Sequence, residues 1–182
     1  MKKRIYALIL GGIFTLAGCP LTSIAQTAST AEPTTVTKGK PYKENWANTK
    51  VILKKKIWTV EDKNNDNNTW EDLDAGAPAY NGANATVDAD DWLVSPPLHL
   101  IAGQTYALEA GAVVGGYSGT GQRMNIAYGT GDDPTTYSEI VPTTPVSGTA
   151  FGTPTTLKTT FTPTETGDYR IGFHAVSDRP GY

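Results

Sequence analysis

The chain has 182 residues and a net charge of −3, from 15 Lys and Arg against 18 Asp and Glu. Hydrophobic residues make up 38% of it, which excludes a disordered polymer and allows one ordinary domain with its own core. Its single cysteine excludes an intramolecular disulfide, and 19 Gly and 12 Pro among abundant Thr mark many turns and favour short strands over helices.

The first segment reads as a signal peptide over residues 1–25. Lys2, Lys3 and Arg4 precede an apolar run from Ile5 to Ala17 that is too short and too one-sided to span a bilayer. Two processing sites compete. Leu16-Ala17-Gly18-Cys19 has the form of a lipobox, which ends the leader at residue 18 and makes Cys19 the candidate for lipidation. "SIAQ", with Ser23 and Ala25 as small residues, suits ordinary cleavage before Gln26. Either route exports the protein, to the outer membrane and cell surface or into the medium, with the membrane reached only through a lipid anchor. The leader takes three of the 15 basic residues with it, leaving 12 against 18 acidic, or −6. Such a surface is a poor partner for nucleic acid.

Residues 26–41 are small and polar without periodicity and read as a flexible tether. From residue 42 to 182 the pattern is that of one domain. "VILKKKIWTV" (51–60) is expected as a strand with a basic kink or edge. "DWLVSPPL" (91–98) is a strand ended by its proline pair, and "TYALEAGAVVG" (105–115) puts Tyr106, Leu108, Ala110 and Ala112 on one face. "GAVVGG" (111–116) is read as a bulge near a turn. "RMNIAYG" (123–129) alternates Met124, Ile126 and Tyr128, and "GDYRIGFHAVS" (167–177) alternates Tyr169, Ile171 and Phe173 against Arg170 and His174. "SEIV" (138–141) and "TLKTTFT" (156–162) are weaker strands. "GTGDDP" (129–134), "PTTP" (142–145) and "TETG" (164–167) are turn-rich connections. Short strands at these intervals predict an all-β antiparallel sandwich.

The unusual stretch is "EDKNNDNNTWEDLD" (61–74), with six carboxylates and four asparagines in fourteen residues. It is either a solvated loop or a set of oxygen ligands for a hard cation. Asp62, Asn64 and Asp66 have the D-x-N-x-D spacing with which a tight loop can turn alternate oxygens to one centre, and Ca2+ takes six to eight such ligands. An EF-hand is rejected: Leu73 stands where the bidentate Glu belongs, and no flanking helices are evident. Asn67 holds the glycine position, which its tolerance of left-handed φ permits. Trp70 can fix the loop exit by burying its ring, and Glu71, Asp72, Asp74 and Asp88 would repel the loop carboxylates unless something positive sat among them. In the second acidic cluster, Asp88-Ala89-Asp90-Asp91-Trp92, Asp91 directly precedes a buried strand. It is expected inside, as a ligand or as an acceptor for loop amides.

At these residues the chain resembles a known family. Thr69-Trp70, then Asp91-Trp92-Leu93-Val94-Ser95-Pro96, then Leu100-x-x-Gly103-x-x-Tyr106-x-Leu108 fill, in order and spacing, the pattern of the cleaved-adhesin or choice-of-anchor J domains. Those domains recur in surface and secreted proteins of Bacteroidetes, including the adhesin regions of gingipains. The resemblance spans about residues 42–182. It implies a jelly-roll β-sandwich, similar to carbohydrate-binding domains that hold structural calcium, and strengthens Asp62, Asn64 and Asp66 as metal ligands, with Asp91 a weaker addition. Family domains run on into a last strand with paired acidic residues, which this sequence, ending at Tyr182, does not show. The expected fold is thus a jelly roll lacking its last strand, with an open sheet edge or a shortened gene product as the consequence.

No Gly-x-Ser-x-Gly elbow, HExxH pair or phosphate loop is present. His99, between apolar residues, reads as a strand-face residue rather than a base, and His174 as pointing outward or to a cleft edge. The functional expectation is a non-catalytic adhesion or ligand-binding module stabilised by calcium, whose partner is a host surface protein or glycan. Trp46, Tyr117 and Tyr137 are the ligand-contact candidates, against ordinary packing for each. The alternatives are a structural accessory domain of a surface assembly, and behind it a secreted hydrolase.

Overall fold

In a computed structural model of the chain, the described residues are 5–10, 31–37, 39–73, 76–82, 85–116, 122–146 and 154–178, with the backbone alone at 5–10 and 114–116. The lipidation candidate Cys19 and the contact candidate Tyr117 lie outside them.

Two sheets enclose one core. In the first, β11 (Thr155–Phe161), β8 (Tyr106–Gly116), β1 (Ile5–Leu10), β5 (Pro78–Asn81) and β4 (Trp70–Asp72) lie side by side in that order. In the second the order is β10 (Ser138–Pro145), β9 (Arg123–Thr130), β12 (Gly167–Ala175), β6 (Asp91–Val94) and β3 (Thr59–Asp62). β7 (Leu98–Leu100) flanks the start of β12, and the short β2 (Thr34–Thr35) runs parallel beside β7. All other pairings are antiparallel. The protein is an all-β, sandwich-like domain.

The alternation read from the sequence is what joins the sheets. Tyr106, Leu108, Ala110 and Ala112 on β8 and Leu157 and Phe161 on β11 meet Met124 and Ile126 of β9 and Tyr169, Ile171 and Phe173 of β12 in one buried cluster. Aromatic contacts tighten it: Tyr128 packs on Phe161 at 4.6 Å and on Tyr169 at 5.5 Å, within the range where ring pairs add to plain area burial.

Four local expectations are corrected. Residues 51–60 do not form one strand: Thr49–Lys54 is a short helix, α1, and the strand begins only at Thr59. Ile52 and Leu53 pack against the core while the lysines stay outside, and Lys56 at φ 53° ends the helix before Ile57. "PTTP" is not a turn but the second half of β10, tolerated because β10 is an edge strand that pairs only with β9, through two register shifts. "GAVVGG" is not a bulge, since β8 runs through Gly116 in unbroken register with β1. The stretch expected as a tether is partly docked: Thr34 donates its N–H to Pro97 O at 2.9 Å, and Val36 is buried in the core.

The motif residues carry the corners. Gly103 turns at φ 73° and donates to Pro163 O, while Tyr106 Oη accepts the Ile101 N–H at 2.6 Å and closes that turn. Ser95 takes over where the β6–β12 ladder ends. It donates its backbone N–H to Ile171 O, accepts the Ile171 N–H on Oγ, both at 2.9 Å, and donates Oγ to Pro96 O. Arg170, buried on the opposite face from Ile171, donates to Ser95 O and to Asp132 Oδ1, both at 3.2 Å.

Candidate functional site

β3 and β6 pair antiparallel with Asp62 opposite Asp91, so the end of one strand and the start of the next place a carboxylate each at the same rim. The chain then leaves β3 into a loop held by its own side chains. Asp62 accepts the N–H groups of Asp66 (3.3 Å) and Asn67 (2.9 Å), Asn64 Oδ1 also accepts from Asp66 N (3.1 Å), and Asp66 Oδ1 accepts from Asn68 N (2.8 Å). Asn65 and Asn67 sit at φ 56° and 63°, conformations that asparagine tolerates better than most residues. The loop is stitched to the second acidic cluster by Lys63 N to Asp90 O and by Asn64 Nδ2 to Asp88 O. Trp70 closes it. Its ring is buried, and its indole N–H donates to Asp91 O at 3.1 Å, tying the loop exit to the site.

Asp91 is fully buried, and its Oδ1 has no hydrogen-bond partner, while Oδ2 accepts only the Asp90 N–H at 3.2 Å. Burial pushes this carboxyl up to about 7. The Thr69 hydroxyl lies near enough to oppose that rise but outside bonding geometry, so Thr69 Oγ1 is itself buried and unpartnered, and the charges of Asp62 and Asp66 add to the rise. The Tyr80 hydroxyl, buried and unpartnered, is likewise raised, first by burial and then by Asp91, Asp66 and Asp62. Among the described residues no lysine or arginine forms an ion pair with Asp62, Asp66 or Asp91. Three carboxylates thus share one electrostatic neighbourhood, and each accepts at least one loop amide. Among the described residues no three His, Cys, Asp or Glu side chains stand close enough to form a ready-made metal cluster. Asn64, the fourth expected ligand, belongs to the same loop, with its amide turned to Asp88.

Both histidines meet a carboxylate at 2.7 Å. His99 Nδ1 faces Asp168 Oδ1 across the β7–β12 pair, with its other nitrogen buried, as suits a strand-face residue. His174 Nε2 faces Asp90 Oδ1, and its ring lies flat on Trp92 with centroids 3.9 Å apart. Burial lowers the His174 pKa against the opposing pull of Asp90.

The two aromatic contact candidates within the described residues are packed rather than displayed. Trp46 is 3% exposed, its ring 4.7 Å from Trp58, although it does line an open cleft of about 440 Å³ together with Thr49, Val51, Asp72 and Gly76. Tyr137 is 9% exposed, set edge-on to Trp92 with its hydroxyl on Gly131 O. A stacking platform for sugar rings needs an open face, and neither residue offers one.

Sequence reading missed Thr69 and Tyr80. Thr69 was visible only as half of the Thr-Trp pair, and Tyr80 lies in a four-residue strand with no period to betray it. Compared with known protein families, characterised proteins and solved structures, the chain matches none.

Proposed function

We propose that the protein is a non-catalytic, exported adhesion or ligand-binding module of the cleaved-adhesin kind, with a jelly-roll topology braced by calcium at the aspartate–asparagine loop. The observation that carries this reading is Asp91: a carboxylate with no exposed surface and an unpartnered oxygen, coupled electrostatically to Asp62 and Asp66 and, among the described residues, in no ion pair with a lysine or arginine. Leaving a buried acceptor unmatched costs about 1–3 kcal/mol, and like charges at close range add to that. A hard divalent ion removes both penalties, and carboxylate and amide oxygens are the donors it prefers. Asp62, Asp66 and Asp91 would hold the ion, with Asn64 adding a neutral carbonyl oxygen. When bound, calcium supplies charge neutralisation and a fixed loop shape rather than chemistry. The leader-like segment and the lipobox pattern at Cys19 support a location on the cell surface or in the medium.

A glycan array and a host-protein pull-down, each run in calcium and in EGTA, test the adhesive role. The reading expects a ligand retained in calcium and lost in chelator. No ligand at high micromolar concentration in either buffer leaves only a structural role in a surface assembly.

A further inference from the structure

Strand β1 occupies the middle of the first sheet. Ile5–Leu10 pair with Gly111–Gly116 of β8 in six consecutive positions, and on the other side Tyr6, Ala7 and Leu8 pair with Asn81, Tyr80 and Ala79 of β5. Yet the sequence reads residues 1–18 or 1–25 as a leader that export removes. Taking β1 out leaves β4–β5 and β8–β11 separated by the width of one strand, about 10 Å between the flanking backbones. Both walls then present a row of unpaired N–H and C=O groups in the body of the sheet, where they cannot be left dry and unmatched.

We propose that this slot is a strand-acceptor site: once the leader is gone, an extended, uncharged apolar strand of about six residues from another polypeptide takes its place, antiparallel to both walls. The walls specify that chemistry. Ala79 and Tyr80 are successive residues of β5 and both are buried, as are Ala112 and Val113 of β8, so both faces of the sheet are covered there. A strand covered on both faces is a continuous apolar run rather than an alternating one. The segment now seated there, Ile-Tyr-Ala-Leu-Ile-Leu, is such a run. Residues 26–37, next in the chain, are not: they are polar, carry Pro33, and from Thr34 are committed to β7. The uncut chain is therefore self-capped, and processing opens the site. This inference rests on the export part of the proposed function, through leader removal, and not on calcium, so failure of the calcium brace and failure of the acceptor slot are told apart.

The test uses the full chain carrying a specific protease sequence after Gln26, and a fluorescein-labelled synthetic peptide spanning Lys3–Gly12. The uncut protein is expected to take up no peptide, and the cut protein to bind it saturably, with at least a tenfold gain in bound label in both calcium and EGTA. A peptide with Leu8→Pro is expected not to bind, because proline cannot donate to the ladder. A leader fragment that stays seated after the cut should be chased out by excess labelled peptide, and a cut protein that aggregates should be kept soluble by it; failure of either overturns the proposal. It is equally overturned by a cut monomer that releases its leader, keeps the melting temperature of the uncut chain and takes up no label. A cut protein that dimerises and excludes the peptide assigns the slot to a second copy instead. Amino-terminal sequencing of the exported protein checks the premise separately, since a mature chain that still holds residues 5–10 needs no donor.

Discussion

Asp91 pairs with Asp62 across β3 and β6, and its burial makes its ionisation unfavourable, with the charges of Asp62 and Asp66 adding to the effect. A carboxyl raised from its ordinary 3.8 to about 7 in the folded state holds its proton where the unfolded chain has already lost it. Stability without calcium is then greatest below the unfolded value and falls as pH rises from about 4 to 7, by up to roughly 4 kcal/mol. His174 trends the other way: its lowered pKa makes stability present at neutral pH fall away as the solution is acidified below its ordinary 6.5. Urea denaturation in EGTA at several pH values, for wild type and Asp91→Asn, separates the two. The variant is expected to lose the decline between pH 4 and 7 and to keep the histidine trend. A second prediction concerns the outer face of the same sheet. A Cβ added at Gly172 would lie 2.8 Å from the Trp92 ring, so Gly172→Ala should cost about 1–3 kcal/mol in the same denaturation experiment. The candidate site was half legible at this scale. Spacing singled out Asp62, Asn64 and Asp66 as candidates, and a place before a buried strand singled out Asp91, which is buried as expected. The burial of Trp46 and Tyr137 depended on contacts with Trp58 and Trp92 that no local pattern encodes.

Among the elements, β4 reaches the site through Trp70, whose indole N–H donates to Asp91 O. Trp70→Phe keeps most of the ring and removes that donor, which should lower stability by about 1–3 kcal/mol and reduce any calcium-induced rise in the melting midpoint. Ser95→Ala is the matching test at the other end of β6. It strips the acceptor from the Ile171 N–H in a buried corner, and a comparable loss by thermal melting is expected. Long strands with clean alternation, β8, β9 and β12, were legible because period two over eight or more residues has no competing explanation. β4 and β5 were not, because three or four residues carry no period and their place is set by neighbours in the sheet. α1 failed for a related reason: its lysine-rich surface and six-residue length resemble a kinked edge strand until the core contact of Ile52 and Leu53 is known. In β10 the prolines read as turns because the sequence does not reveal which strand lies at an edge.

At the scale of the molecule, one core joins two sheets, and the only cysteine in the sequence is Cys19. No disulfide can therefore brace the domain, and the loop between β3 and β4 sits where three carboxylates oppose each other unless a cation joins them. Thermal melting in millimolar calcium and in EGTA tests this claim most directly, with an Asp62→Ala/Asp91→Asn double variant as control. Calcium at a hundredfold excess over its dissociation constant adds about 2.7 kcal/mol, which for a domain of this size raises the midpoint by roughly 5–10 °C. The account predicts that rise in the wild type and none in the double variant. A wild-type midpoint unchanged between calcium and EGTA, or a rise of the same size in both proteins, would contradict it.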